Sequence, residues 1–285
     1  MKPAKYEEAA IYEIICLRSK ERILSMKPGV YLTHKKDGSP LYRSSITFQG
    51  KHISLGSYPD EQAAHDAYTA AANVLRTPSY TLLRTAPPLP FFKYVSLVNF
   101  RDNGLYIKTP IYLYDRYFYY YMNPDEYYIF DVDDLFYYST HSILKRGGHL
   151  FVSDYGMQVN ILSRYGIHNY AVAGRDYVFL NGDSHDMRYE NIRVINHFLG
   201  VCKKTKNYQD LYECRIHVNG DILVGRYPTE TEAAIAFNKA ADLLHKKGYR
   251  KQYPKHFIEH LSSTEYRKIY DRISISSAIN NYPNC

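Results

Sequence analysis

Five residues that could bind a divalent cation lie close together in the sequence. They are His168, Asp176, Asp183, His185 and Asp186. Carboxylate oxygens and imidazole nitrogens are ordinary metal ligands, so this group allows a metal site. Turns rich in Asp and Gly that carry a His are also common without a metal. The sequence therefore favours no metal and no cofactor, and a metal site at these residues stays open as the alternative.

The rest of the sequence narrows the class of protein. No Ser-His-Asp order or Gly-rich phosphate loop is present. The cysteines Cys16, Cys202, Cys214 and Cys285 include no Cys-x-x-Cys pair, which indicates a reduced, cytoplasmic chain, nucleoid-associated if bacterial. No apolar run approaches the roughly 18 residues of a membrane span, so we expect no membrane partner. The net charge of +7 suits a polyanionic partner.

One sequence pattern occurs twice along the chain. The first copy has Gly29-Val30, the strand-like run Tyr42 to Ile46, and the stretch from Gly56 to Leu75. The second copy has Gly200-Val201, Tyr212 to Ile216, and Gly225 to Leu244. The last stretch aligns without a gap. Two copies cannot build a solenoid, so the repeat predicts a tandem pair of small domains.

Polar and apolar residues alternate in three short runs in each copy, and a helical pattern follows them. In the first copy the strands run from Val30 to Lys35, from Tyr42 to Phe48 and from His52 to Leu55, and a helix then extends through Leu75. In the second copy the strands lie near 201–206, 211–218 and 221–225, and the helix extends from Glu230 to about Lys247. Alanines on one helix stripe allow close packing. Each copy is therefore predicted to be a three-stranded antiparallel sheet with one helix across a face.

This pattern resembles the Apetala-two/ethylene-response-factor (ERF) type of DNA-binding domain. The Gly-Val pair, the Tyr-x-x-x-Ile strand and the Gly-x-Tyr-Pro-x-Glu run before the alanine helix carry the resemblance. It covers about 50 residues in each copy, and it implies that the sheet face opposite the helix enters the major groove of duplex DNA. The Trp and the paired Arg typical of the plant domains are missing, so no plant-like target sequence is implied.

Strand alternation assigns the side chains that face away from the helix. Ile46 and Leu55 should face the helix, and the outward residues should contact DNA bases. The outward residues are Tyr31, Thr33, Lys35, Arg43, Ser45, Thr47, His52 and Ser54 in the first copy, and Lys204, Lys206, Glu213, Arg215, His217 and Asp221 in the second. Arg43 and Arg215 are candidates for guanine readout, because a guanidinium can donate to O6 and N7 together. The candidates for phosphate contacts are Lys36, Lys51 and Lys203.

A second resemblance lies between the two copies. The stretch Asn181–Arg193 is similar to the second half of the HNH homing-endonuclease motif, D-H-x-N-G-[ND]-x-x-D-N-R-x-x-N-L-R. The Asp-His pair that supplies a metal ligand and the general base in that family falls on Val178 and Phe179, which can do neither. Two further family positions, a His and an Asn, fall on Ser163 and Met187.

The rest of the HNH resemblance concerns the scaffold of the motif. It implies a turn at Asn181-Gly182, local hydrogen bonds from Asp186 and Arg188, and a closing helix at Asn191-Ile192-Arg193. Ligands are lost while scaffold residues remain, which is the pattern of an inactive nuclease domain.

These expectations combine into an α+β fold with two three-stranded sheet-plus-helix modules that flank a degenerate HNH-like ββα domain. The predicted boundaries are an N-terminal helix at 1–27, a first module at 28–86, the HNH-like domain at 87–198, a second module at 199–250 and a C-terminal helix at 251–285. The aromatic run Tyr117–Tyr121 is assigned to strand packing, with base stacking as the alternative.

The leading hypothesis is a sequence-specific double-stranded DNA-binding protein, a transcription regulator rather than an enzyme. A monomer suffices, since one chain carries both modules, and the sequence does not determine the oligomeric state. One alternative is an active HNH nuclease with displaced metal ligands. The other is a structural or assembly protein that has lost DNA binding.

Overall fold

The computed structural model describes residues 26–77, 88–206 and 208–285. These residues form a mixed α and β structure with several three-stranded antiparallel sheets, which confirms the predicted α+β class. The chain divides into two units, Met1–Thr140 and His141–Cys285, so one unit boundary falls within the predicted 87–198 domain. The predicted N-terminal helix at 1–27 lies, except for its last two residues, outside the described residues.

The first module consists of strands β1 (Val30–His34), β2 (Pro40–Phe48) and β3 (Lys51–Tyr58) and helix α1 (Glu61–Arg76). The strands pair antiparallel in the order β1-β2-β3, and α1 packs on β2 and β3. These are the predicted elements with slightly different ends. The helix begins after Asp60 because that carboxylate accepts the backbone N–H of Ala63 at 2.8 Å. Ala64, Ala67 and Ala71 are fully buried against the sheet.

The rest of the first unit contains helix α2 (Phe91–Asn103), strands β4 (Ile111–Leu113), β5 (Tyr117–Asn123) and β6 (Glu126–Asp131), and helix α3 (Leu135–Thr140). Strand β5 divides the aromatic run between two faces. Phe118 is buried with Phe130 at a ring distance of 5.5 Å, whereas Tyr119 lies on the other face and stacks on Tyr127 at 4.6 Å. These contacts show that the run packs the strands.

The second unit begins with the antiparallel strands β7 (Ile143–Arg146), β8 (His149–Asp154) and β9 (Met157–Asn160). A two-stranded ribbon of β10 (Tyr177–Phe179) and β11 (Ile192–Val194) follows. The predicted closing helix at 191–193 is therefore wrong. A single 3-10 turn at Tyr189–Asn191 leads into β11, because Ile192 to Val194 pair with the strand that carries Val178 and Phe179.

The second module repeats the first. It consists of strands β12 (Val201–Lys206), β13 (Gln209–His217) and β14 (Asp221–Tyr227) and helix α4 (Glu230–Lys246). The Thr229 hydroxyl accepts the N–H of Glu232 at 3.1 Å and caps the helix. Cys214 on β13 is fully buried beneath α4 in a core with Ile216, Val224 and Phe237.

The predicted C-terminal helix at 251–285 is mostly incorrect. The structure has helix α5 (Ser263–Arg272) and the short helix α6 (Ser277–Asn280), and residues 251–262 form no helix. Helix α5 starts late because Ser262 and Glu265 form a capping box that fixes its first turn. The segment before it is held by Asn238, which bonds both the N–H and the carbonyl of His256 at 2.8 and 2.9 Å.

Candidate nucleic-acid interface

The Gly-Val pair of the repeat marks a close approach between β-sheet and helix. Gly29 and Gly200 have φ of +77° and +78°, a left-handed backbone that favours glycine. A Cβ on Gly29 would lie 2.0 Å from the Tyr68 ring, and a Cβ on Gly200 would lie 2.4 Å from the carbonyl oxygen of Arg215 and 2.7 Å from the Phe237 ring. Tyr68 and Phe237 occupy equivalent repeat positions. The repeated glycine and the repeated aromatic residue therefore form one packing unit.

The Tyr of the Gly-x-Tyr-Pro run also has the same role in both modules. The Tyr58 hydroxyl donates to the carbonyl of Leu55 at 3.2 Å, and the Tyr227 hydroxyl donates to that of Val224 at 3.5 Å. Tyr227 donates in addition to the carbonyl of Ser274 at 2.9 Å, downstream of α5. This tyrosine ties the last strand to the following chain, so the repeat encodes fold as well as any binding surface.

The outward face of the first module is largely exposed, as predicted. Arg43, Thr47, His52, Ser54, Tyr31 and Lys35 are exposed, and Thr33 is half-buried. Thr47 and His52 pair across the strands with 3.4 Å between Oγ1 and Nδ1. The expectation that Ser45 is exposed is wrong, because this residue is only 8% exposed. The pairing register shifts between Ser44 and Ser45, and this bulge breaks the strict alternation from which the prediction was made.

Four cations of the first module lie open to solvent. Arg43, Lys35, Lys36 and Lys51 are exposed, and none forms an ion pair with any residue that the structure describes. The turn between β1 and β2 contains an acidic residue, Asp37. Its carboxylate accepts hydrogen bonds from the N–H and from the hydroxyl of Ser39 at 2.9 and 2.7 Å. These hydrogen bonds lower the pKa of Asp37. Arg43 and Lys35 have the outward strand parity, whereas Lys51 lies opposite Phe48 of the helix side and Lys36 lies in a turn; all four are available to an anionic partner.

The outward face of the second module is electrostatically different. The Glu213 carboxylate lies between Arg215, whose Nε is 2.9 Å away, and Arg226, whose terminal nitrogen is also 2.9 Å away. The hydrogen bond from Arg215, together with that from Arg226, lowers the pKa of Glu213. Glu213 was predicted to be an outward contact residue, but its side chain is only 13% exposed because the two guanidinium groups cover it.

Other charges of the second module are also paired. Lys203 contacts Asp210 at 2.6 Å, and His217 contacts Asp221 at 2.7 Å. Lys204 and Lys206 are exposed and form no ion pair with the described residues. Arg215, His217 and Asp221 are exposed on the predicted side. Sequence reasoning missed Arg226, although the strand register places it directly opposite Glu213 and could have indicated the pair.

The turn at 181–191 is held by its own polar side chains. Asn191 accepts the N–H of Asn181 at 2.8 Å and donates to the carbonyl of Asp186 at 2.8 Å. Arg188 contacts Asp186 with 2.7 Å from its terminal nitrogen and 2.9 Å from Nε. Burial alone would raise the pKa of Asp186, but hydrogen bonds from Arg188 and Asn181 outweigh it and lower the pKa. The predicted turn at Asn181-Gly182 and the predicted local hydrogen bonds of Asp186 and Arg188 are present in the structure.

The positions that align with the catalytic residues of the HNH motif carry other types of side chain. Val178 and Phe179 are half-buried on β10, Met187 is buried, and Ser163 is exposed in the 3-10 helix Ile161–Tyr165. Among residues 26–77, 88–206 and 208–285, no three His, Cys, Asp or Glu side chains form a group that could hold a metal ion. Asp176, one of the alternative ligands, is held by Arg175 at 2.7 Å and by Asn196 at 3.0 Å.

Comparison with known proteins identifies no relative of this chain. No family model, no curated protein and no solved structure matches it. In the part of the chain that the structure describes, no helix has the length and apolarity needed to cross a membrane. The interpretation of the two modules therefore depends on their own residues and geometry.

Proposed function

We propose that this chain is a sequence-specific double-stranded DNA-binding protein that regulates transcription and has no nuclease activity. The exposed cations of the first module carry this proposal. Arg43 and the lysines Lys35, Lys36 and Lys51 are exposed without an acidic partner among the described residues. An antiparallel sheet fits the major groove, and a net charge of +7 favours a polyanion.

The two modules contribute unequally in this proposal. Arg43 can donate to a guanine without losing an existing ion pair. Arg215 is bonded to Glu213, and Lys203 is bonded to Asp210, so DNA contacts there compete with these pairs. We therefore assign most base readout to the first module and additional contacts to Lys204 and Lys206. Because both modules belong to one chain, binding of the first raises the effective concentration of the second at a neighbouring site.

The segment between the modules is assigned no cleavage role. We interpret it as the remnant of an HNH endonuclease-like domain, on the basis of the Asn181 to Arg193 stretch. Val178 and Phe179 stand at the positions of the catalytic pair, and a strand stands where the family resemblance implies a helix. The modules and this segment keep the predicted limits of 28–86, 87–198 and 199–250 as proposed domains.

The test is a selection of bound duplexes from a random pool, followed by titrations monitored by fluorescence anisotropy. Arg43→Ala should cost about 1–3 kcal/mol on the selected site and relax the preference at one base position. Lys36→Ala should weaken all sequences alike, since phosphates carry no sequence information. Arg116→Ala and Lys108→Ala are matched controls, because they remove exposed positive charges of the same unit outside the sheet face.

Salt dependence separates DNA binding from ordinary surface charge. Contacts with roughly 6–10 phosphates would reduce the affinity about 10³–10⁵-fold between 50 and 200 mM salt. A flat salt response with no selected sequence would contradict the proposal and favour the assembly-protein alternative. A plasmid-nicking assay with magnesium, manganese or zinc addresses the nuclease alternative. Cleavage that disappears in His185→Ala would show an active enzyme.

A further inference from the structure

A cavity of about 840 Å³ lies on the second unit, where part of the outward face of the second module meets two other segments. The second module contributes most of the lining, including Arg215 and His217, and residues from the segments 168–176 and 251–254 contribute the rest. Both of these segments lie outside the repeated stretch of sequence. The volume falls within the range of about 300–1,000 Å³ that is typical of small-molecule sites.

The walls of this cavity are fixed to the sheet before any ligand enters. Lys251 donates from Nζ to the carbonyl of His217 at 2.8 Å, and the Tyr253 hydroxyl donates to the same carbonyl at 3.1 Å. On the other side Asn196 donates to Asp176 at 3.0 Å and accepts the N–H of Lys203 at 2.8 Å. A preformed site of this kind lowers the ordering cost of binding.

The charges of the lining favour an anion. Its cations are Arg175, Lys204, Arg215 and Lys251. Its carboxylates, Asp176, Glu213 and Asp221, each already contact a cation or a His within 2.9 Å. By contrast Arg215 uses Nε for Glu213, and no described residue accepts from its two terminal nitrogens or from the Lys204 ammonium group. An anion in this cavity can accept hydrogen bonds from donors that have no other acceptor among the described residues, whereas the carboxylates that would bind a cation already contact other residues.

Tyr170 on the cavity lining indicates that the ligand has a planar group in addition to its negative charge. Its φ of +65° is disfavoured for any residue with a Cβ, and its side chain is 84% exposed. No described residue forms a hydrogen bond or ring contact with it. A glycine would suit this backbone better, and Tyr170 differs from the similarly exposed Tyr155 in that it lies on the cavity lining. Tyr253 supplies a second, half-buried ring to the lining. Such rings bind planar groups by stacking.

We propose that this cavity binds a nucleotide, with its phosphate at Arg215 and near Lys204 and its base against Tyr170. The nucleotide is either a free mononucleotide or a nucleotide displaced from a DNA strand, since both present the same base and phosphate. The site exists in the protein without DNA, so its ligand can be measured separately from duplex binding.

The test is calorimetric titration of the full chain with AMP, GMP, CMP and UMP, with adenosine and inorganic phosphate as partial ligands. At least one mononucleotide should bind about tenfold or more tightly than either partial ligand, because only it engages both the rings and the cations. Absence of binding by all four at millimolar concentration would overturn the proposal. Equal affinity for inorganic phosphate would show an anion site without base recognition and would also overturn it.

Two variants locate the two ends of the ligand. Tyr170→Gly suits the left-handed backbone, so it should fold normally and weaken the mononucleotide about tenfold while phosphate binding is unchanged. Tyr155→Gly is its control, because Tyr155 has φ of +47°, is 97% exposed and lies outside the cavity. Lys204→Ala should weaken mononucleotide and phosphate alike, with Lys246→Ala on α4 as the control. Unchanged affinity in Tyr170→Gly would refute the assigned base position.

A competition experiment then identifies the source of the nucleotide. A duplex with one unpaired nucleotide that displaces the bound mononucleotide, where the fully paired duplex does not, assigns the cavity to a nucleotide of DNA. Failure of that duplex to compete, with mononucleotide binding intact, assigns it to a free nucleotide. Neither result depends on whether the first module binds duplex DNA, so loss of duplex binding in Arg43→Ala would not affect it.

Discussion

Substitution of Gly200 by alanine should destabilise the second module strongly. The glycine has φ of +78°, and adoption of this conformation by a residue with a Cβ costs about 1–2 kcal/mol. The new Cβ would also lie 2.4 Å from the carbonyl oxygen of Arg215 and 2.7 Å from the Phe237 ring. Overpacking of this kind typically costs about 1–3 kcal/mol. The two effects together give a loss of about 2–5 kcal/mol.

The structure offers no easy relaxation at this glycine. The N–H of Arg215 donates to the carbonyl of Gly200 at 2.7 Å, so a shift that relieves the clash would break this hydrogen bond. For Gly29→Ala the three nearest atoms all belong to the side chain of Tyr68 rather than to the backbone, so this variant should cost less than Gly200→Ala. Gly38→Ala isolates the backbone contribution, because Gly38 has φ of +80° and a Cβ added there would meet no described atom within 4 Å.

Urea unfolding followed by circular dichroism measures these losses, since the midpoint and slope give the free energy of unfolding. The expected order of destabilisation is Gly200→Ala, then Gly29→Ala, then Gly38→Ala, with about 1 kcal/mol for the last. A native protein is stabilised by only about 5–15 kcal/mol, so the first variant should unfold at clearly lower urea. If Gly200→Ala cost no more than Gly38→Ala, the assigned approach of strand and helix would be refuted.

Three further outcomes are expected. Burial lowers the pKa of His256 to about 4, whereas its pKa in the unfolded chain is near 6.5, so between these values the unfolded chain binds one more proton than the folded chain. The free energy of unfolding should therefore fall by about 3 kcal/mol from pH 6.5 to pH 4. His256→Asn should remove this part of the pH dependence in urea titrations. Asp186→Ala should cost on the order of 3 kcal/mol in thermal unfolding, because Arg188 loses its buried partner; an unchanged midpoint would argue against a structural role for the turn. Val178→Asp combined with Phe179→His should not create metal-dependent cleavage in a plasmid-nicking assay, because Ser163 and Met187 also differ from the residues of the HNH motif that this segment resembles. Cleavage by this double variant would refute the proposal that the segment has lost the remaining requirements for cleavage.

The elements of both modules could be predicted from the sequence because several local signals agree. Strand alternation, the turn at Asp37-Gly38 and the alanine stripe of α1 all lead to the same fold, and the second copy repeats them. The error at Ser45 has a different origin. A bulge shifts the strand register by one residue, and no periodicity analysis detects a shift that depends on which residues pair.

The other errors arose where tertiary contacts decide the local structure. Apolar residues at helical spacing suggested one long C-terminal helix, but the hydrogen bonds of Asn238 hold the chain around His256 in a non-helical form. The capping box at Ser262 was visible in the sequence and could have given the true start of α5. The pairing of Arg215 with Glu213 also follows from side-chain conformations that a strand pattern does not specify.

The reactivity of the buried Cys214 thiol reports local opening of the second module. This side chain has no exposed surface, and burial raises its pKa, so a thiol reagent cannot attack it while β13 remains covered by α4. Modification then requires transient separation of strand and helix, and its rate at a given reagent concentration measures the population of the open form. Cys285, which is exposed, reacts without any opening and calibrates the intrinsic rate in the same chain. The rate of Cys214 modification relative to that of Cys285 thus measures local opening of the second module, and a ligand that binds the closed module would lower this rate.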